Sequence, residues 1–302
     1  MTEILTAAAR ERRTARIALA ALLCGALGIA FAPILVRLSE LPPVATAFWR
    51  LAFAVPVLTA WMVAEARGAS APRRPSSWSD YARLSLAGLF FAGDLSVWHW
   101  SIHYTSVANA TLLPNLAPIF VTLASWLLFG ERFSRTFMAG LVLAIGGAVV
   151  LMGESLQLSP DNLLGDALGF ATSLFYAGYI LSVGRLRAEF STATIMTWSG
   201  IITALSLLVI ALASGESLIA PSLYGWGVLV ALALVSHAGG QSLIAYALAH
   251  LPAAFSSVSL LFQPAAAAVL AWPLLGEPLR PIQVLGAAII LAGVFMARRG
   301  SR

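Results

Sequence analysis

Apolar residues run along this chain in long blocks separated by short polar interruptions. The blocks can be marked at 17–36, 44–64, 81–103, 105–129, 136–153, 162–184, 192–213, 223–249, 252–275 and 281–297. Each is close to the roughly 20 residues that carry a helix across about 30 Å of hydrocarbon. The pattern therefore predicts an all-α integral membrane protein of ten transmembrane helices. The longest polar interruption, Glu65 to Asp80, is too short to fold alone, so residues 1–302 are expected to form a single membrane domain.

The blocks also repeat. Leu128 to Gly147 returns as Leu274 to Gly293 at an offset of 146 residues, so that Gly130-Glu131 becomes Gly276-Glu277. At the same offset Pro118 meets Pro264, Trp126 meets Trp272, Gly140 meets Gly286, and Gly147 meets Gly293. The front of each half matches less well, although Ile34-Leu35 recurs as Ile180-Leu181. Five spans per half is an odd number, so the second copy enters the membrane in the opposite sense. The expected architecture is two inverted five-helix repeats, 17–153 and 162–297, as in carriers that work by alternating access around a midplane site.

Composition and charge sharpen this picture. Hydrophobic residues make up 60% of the chain and charged residues only 10%, with a mean hydropathy of +0.88. There is no lysine, so arginine carries the whole orientation signal. With the N-terminus inside, fifteen arginines fall on the inner segments, among them Arg10 to Arg16, Arg73, Arg83, Arg132, Arg185, Arg298 and Arg299. Only Arg37 and Arg280 fall outside, while Arg50 lies within a span. Cytoplasmic loops retain arginine and translocated loops lack it, which places both termini in the cytoplasm and the protein in the plasma (inner) membrane. The net charge of +5 is then a topology signal, and no nucleic-acid partner is implied. Arg10 to Arg16 ahead of an apolar run resembles a secretory leader, but the run is as long as a full span and reads as an uncleaved first helix. Cys24 stands alone, which excludes an intrachain disulfide and a cysteine metal site.

Several stretches carry a family resemblance. The run Trp100 to Gly147 holds Tyr104-Thr105-Ser106-Val107-Ala108-Asn109-Ala110, Pro118, Phe129-Gly130-Glu131-Arg132 and a Gly140/Gly147 helix. It resembles the first half of an EamA-type carrier of the drug/metabolite transporter superfamily. Phe48-Trp49-Arg50-Leu51 and Leu275-Gly276-Glu277-Pro278 are similar to that family's other recurring stretches. The resemblance covers nearly the whole chain, and it implies ten helices, cytoplasmic termini and export of small metabolites such as amino acids.

Candidate binding residues follow from the cost of polar groups in hydrocarbon. A proline inside a helix lacks an N–H and leaves the carbonyl four residues earlier without its partner. Pro118 would free the carbonyl of Pro114 and Pro264 that of Leu260, marking helix breaks at a midplane site; helix kinks for packing are the alternative. Asn115 and Gln263 lie beside these prolines, and His237 and Gln241 share a helix face four residues apart. Together they are expected to line a cavity, unless they serve interhelical hydrogen bonds. Asp94 is the one acidic residue deep in an apolar span, at a depth comparable to Arg50. The two could form a structural ion pair; alternatively Asp94 couples protons or anchors a substrate ammonium group. Trp98 shares the helix face of Asp94, where its ring would suit a cation, whereas Trp100 and His99 turn elsewhere around the helix. His99 is nonetheless a candidate, as is Tyr176, with Tyr179 as further wall; His103 and Tyr104 read as an interfacial belt.

No cofactor and no metal are expected: His99 and His103 have ligand spacing but lack companions, and no P-loop or GxGxxG is present. The energy source is then a proton gradient or the substrate gradient. The expected function is export of a small organic metabolite, an amino acid or related amine, with other metabolites such as nucleosides or organic cations as the alternative. An intramembrane enzyme would need a nucleophile or metal constellation that is missing, and a channel would not saturate. The expected partners are the small-molecule substrate and the lipid bilayer. Gly140/Gly147 and Gly286/Gly293 put pairs of glycines on one helix face, suited to contact within the chain, with a dimer as the alternative to a monomer.

Overall fold

The computed structural model describes residues 2–68, 72–105, 110, 112–153, 160–276 and 279–301. Helices α1 (Thr2–Ala30) and α2 (Ala32–Leu38) form the first span, α3 (Pro43–Glu65) the second and α4 (Trp78–Tyr104) the third. A 3₁₀ turn at Leu113–Leu116 runs into α5 (Ala117–Phe129), and α6 (Arg135–Met152) completes the first half. The second half contains α7 (Leu163–Leu186) and α8 (Thr192–Ala213). Its eighth span joins α9 (Leu223–Ala231), a π-helical stretch Leu232–Gln241 and α10 (Ser242–Ala247). The ninth span is divided into α11 (Ala253–Leu260) and α12 (Phe262–Leu275), and α13 (Pro281–Gly300) is the tenth.

These are the ten spans of two inverted five-helix repeats. Among the described residues, eight are long and apolar enough to cross a membrane by length and composition alone. The third, α4, has 27 residues, but its apolar run is diluted by Asp94, Trp98, His99 and Trp100. In the fourth, Ala110 and Leu112 are also helical ahead of the turn at Leu113, and residues 106–109 and 111 of the block 105–129 lie outside the described residues. Most of the Tyr104 to Ala110 motif, and Glu277 with Pro278, also lie outside them. Helix α1 starts well before the apolar block at 17, since its leading Thr-Glu-Ile-Leu-Thr-Ala-Ala-Ala-Arg segment is rich in helix formers.

The ends of the helices explain the repeated glycines at 130 and 276. Gly130 and Gly276 adopt the left-handed conformation, φ 67° and 70°, and close α5 and α12. After Gly130, its own N–H donates to the Trp126 carbonyl and the Glu131 N–H to the Ser125 carbonyl, the hydrogen bonds of a glycine-terminated helix. Helix starts are fixed by serine: Ser134, Ser191 and Ser222 accept from backbone N–H groups at the heads of α6, α8 and α9.

Packing joins the halves. Helix α6 lies along α13, its counterpart in the other repeat. A Cβ at Gly140 would sit 2.4 Å from the Ala297 nitrogen, and one at Gly147 would sit 2.6 Å from that of Ile290. The matched glycines are thus spent on contact between repeats within one chain. Helix α4 packs on α7 and α8, α3 packs on α8, and α1 packs on the π-helical stretch, α10 and α12. The outward faces carry Leu127, Leu128, Val142 and Val209, an apolar girdle suited to lipid rather than water.

Candidate functional site

A cavity of about 210 Å³ lies in the half of the bundle remote from the chain termini. Its walls come from both repeats: Pro33 and Val36 of α2, Arg50 of α3, Phe91 to His99 of α4, Thr172 and Tyr176 of α7, Gln241 of the π-helical stretch, and Gln263, Pro264 and Ala267 of α12. Pro114 and Asn115 enter from the 3₁₀ turn.

Helix α4 supplies one wall as a stripe. Phe91, Asp94, Leu95, Trp98 and His99 recur at three- and four-residue spacing and so share a broad face. Asp94 sits at one edge of this stripe and His99 at the other. His99 was expected to turn away from the face of Asp94, and the width of the stripe corrects this: a wall seen by several neighbouring helices covers more than one row of side chains. The His99 ring is buried with its Nδ1 against the Leu95 carbonyl. Trp98 lines the cavity and donates from Nε1 to the Ala110 carbonyl at 3.0 Å. Trp100, on the opposite face, is exposed toward lipid.

Arg50 faces the cavity because α3 is pinned just before it. Trp49 Nε1 donates to the Leu218 carbonyl at 2.7 Å, and the Ala45 N–H in the first turn of α3 donates to Glu216 Oε2 at 2.7 Å. Trp49 also stacks on Phe53 and meets Trp226 edge-on. Arg50 is only 7% exposed, its Nε has no hydrogen-bond partner, and its guanidinium lies 6.0 Å from the Phe91 ring centroid. Asp94 shares the cavity with Arg50, yet no N–O contact within 4.0 Å joins them. In this conformation the two charges face the same space without forming an ion pair. The two attract each other across that space without touching, an arrangement in which both groups face the cavity.

Tyr176 lies beside Gln263, with which its hydroxyl interacts, and the Gln263 amide nitrogen is buried. Tyr179, adjacent on α7, stacks instead on Phe91 at 4.6 Å and reaches Met196 with its hydroxyl, behind the cavity wall. His237 is likewise set behind that wall. Its ring is buried 5.5 Å from Phe91, with both nitrogens unpartnered, while Gln241 on the following turn reaches the cavity.

Both prolines stand in the first turn of a helix segment: Pro118 at the start of α5, Pro264 at the start of α12. The two segments begin within a residue of the 146-residue offset, so the repeated proline coincides with a repeated interruption. Pro264 lines the cavity and Pro118 does not. The expected free carbonyl of Pro114 is not free, because the Ala117 N–H donates to it in the 3₁₀ turn. Sequence reasoning missed Phe91, Thr172 and the residues of α2. Phe91 was discoverable as the position three before Asp94, on the same face. Among the described residues no group of three His, Cys, Asp or Glu could hold a metal ion.

Comparison with known proteins follows this geometry. The profile of the EamA-like transporter family matches residues 16–153 and again 163–299. The threonine/homoserine exporter RhtA of Escherichia coli (strain K12) is 32% identical over 208 residues, covering 68% of this chain and 67% of that protein. An uncharacterized transporter of Archaeoglobus fulgidus is 26% identical over 274 residues, covering 86% and 89%. A crystal structure with 19% identity superposes with a TM-score of 0.80 over 97% of this chain and 99% of that one, which shows the fold alone. With two family matches spanning nearly its whole length, the chain belongs to the EamA-like transporter family: it is a multi-pass membrane transporter of small molecules and not an enzyme.

Proposed function

We propose that the protein exports a small amino acid or related amine across the plasma (inner) membrane by alternating access, with both termini in the cytoplasm. The observation that carries this reading is Arg50 and Asp94 on one small cavity without a bond between them. A guanidinium and a carboxylate held apart in low dielectric complement the carboxylate and ammonium of a zwitterion. Trp98 and Tyr176 add aromatic walls that favour the ammonium end. A cavity of about 210 Å³ admits a solute of few heavy atoms, and the 32% identical relative is named for threonine and homoserine export. The arginine asymmetry supports cytoplasmic termini, so the cavity half faces outward. Asp94 is the group suited to carry a coupling proton, since it is the carboxylate within the cavity.

The test is counterflow in proteoliposomes loaded in turn with threonine, homoserine, other amino acids, amines, nucleosides and sugars. Saturable exchange of small amino acids is expected. Exchange of an uncharged sugar or nucleoside, with none of any amino acid or amine, would overturn the reading.

A further inference from the structure

Helices α5 and α6 are joined by a tight turn closed by Gly130, a connection that ordinarily lays two helices against each other. Here they diverge. Helix α6 is drawn to α13 by its glycines, while α5 packs on α7 and α11. Between them lies a crevice of about 570 Å³. It follows α5 from Ile119 to Trp126, about 10 Å of helix, and faces outward, for Ile119, Leu123, Trp126 and Met138 are all exposed.

Two polar groups break this apolar lining. Thr122 is 5% exposed, and its hydroxyl, which in a helix normally returns to the carbonyl one turn earlier, has no partner. Arg132 stands at the mouth, exposed, and forms no hydrogen bond or ion pair with another described residue. Neither group is demanded by the hairpin itself. At the 146-residue offset the other repeat keeps Trp272 and Gly276, but has Ala268 in place of Thr122 and Pro278 in place of Arg132.

We propose that this crevice binds an anionic glycerophospholipid of the surrounding bilayer, its acyl chain along α5 and its phosphate at Arg132. An apolar slot open to lipid with one unpaired guanidinium at the interfacial end matches both parts of such a molecule. The planar guanidinium presents paired donors to phosphate oxygens, and basic pockets between spans on the cytoplasmic side are the usual place for charged headgroups. The Thr122 hydroxyl gives the ester region a donor inside an otherwise apolar wall.

The test uses the full chain purified in detergent and stripped of lipid, titrated with phosphatidylglycerol or phosphatidylcholine in mixed micelles. Bound lipid is read by native mass spectrometry, and Tm by thermal unfolding. Wild type is expected to bind phosphatidylglycerol at least tenfold more tightly than phosphatidylcholine, with a rise in Tm. Arg132→Gln should remove that preference while leaving phosphatidylcholine binding unchanged, and Leu123→Trp, which fills the slot, should weaken both lipids. Equal binding of the two lipids by wild type, or an Arg132→Gln protein that keeps the preference, overturns the proposal. So does efficient crosslinking of two Trp126→Cys chains in a bilayer, in a Cys24→Ser background, which would give the crevice to a second copy. Because the readouts are binding and Tm, the outcome does not depend on the transported substrate.

Discussion

At the scale of single residues, the proposed site gives Arg50 and Asp94 opposite demands on a solute, and substitution separates them. Removing one charged partner of a hydrogen bond costs about 1.5–3 kcal/mol, and each 1.4 kcal/mol is tenfold in affinity. Arg50→Gln should therefore weaken binding of a zwitterionic amino acid tenfold or more but spare a simple amine. Asp94→Asn should weaken both. Isothermal titration with threonine and with its decarboxylated amine checks the difference, and equal losses for the two ligands in Arg50→Gln would remove the guanidinium from the site. If Asp94 also carries the coupling proton, Asp94→Asn should fold normally yet lose the dependence of transport on an imposed pH gradient. Asp94 was legible in the sequence because a carboxylate is conspicuous in an apolar run. Phe91 has no contrast of its own with its apolar neighbours and could be found only through its three-residue spacing from Asp94. His237 shows the opposite limit: spacing gives its rough helix face, but whether that face meets a cavity or another side chain is decided by Phe91 on a different helix.

At the scale of elements, repeated letters proved most informative where they constrain the backbone. Gly130 and Gly276 end helices, Pro118 and Pro264 begin them, and Gly140, Gly147, Gly286 and Gly293 let α6 and α13 approach. The π-helical stretch had no such signature, because its sequence, Leu-Ala-Leu-Val-Ser-His-Ala-Gly-Gly-Gln, would wind equally as an α-helix. What selects it is packing: Gly240 lies against Gly25 and Ile29 of α1, and Ser236 donates to the Gly28 carbonyl at 3.0 Å. Stretches wound this way often mark functional sites, and this one delivers Gln241 to the cavity. The glycine contacts give a direct stability prediction. Gly147→Leu inserts a side chain where a Cβ alone would lie 2.6 Å from the Ile290 nitrogen. Overpacking of this kind costs about 1–3 kcal/mol, to be seen as a lower Tm in detergent. At Gly146, where a Cβ would meet nothing within 4 Å, the same substitution should leave Tm nearly unchanged.

At the scale of the whole molecule, one half of the bundle holds the cavity, and among the described residues the interior of the other is filled by packed side chains. Toward the termini, Val183, Ile195, Met196, Phe255 and Leu248 are buried in continuous packing. The chain end of that half is tied by charge: Asp80 accepts from Arg73 and Arg83, and both arginines also reach Glu189 between α7 and α8. The backbone N–H of Ser76, with both guanidiniums, holds the Asp80 carboxyl well below the ordinary carboxylate range, and Arg83 lowers Glu189 in the same direction. A depressed carboxylate stabilises the fold fully above its unfolded value, about pH 4, and the contribution is lost as pH falls toward the folded value. Tm of wild type should thus be flat near neutrality and fall in acid, whereas Asp80→Asn should start lower and fall less. On the proposed alternating-access reading the same ties also bear on transport, since a carrier that opens toward its termini must part α4 from the α7–α8 connection. In a Cys24→Ser background, Tyr176→Cys in the cavity should react with an impermeant thiol reagent from the side opposite the termini, and Met196→Cys should not react from either side. Adding Glu189→Gln removes the charge from the link between the two elements, leaving the Arg73 contact with the Phe190 ring, and should make Met196→Cys more reactive from the side of the termini while slowing Tyr176→Cys. Unchanged reactivity at both positions would show that the charge cluster stabilises one fold without setting the balance between two conformations.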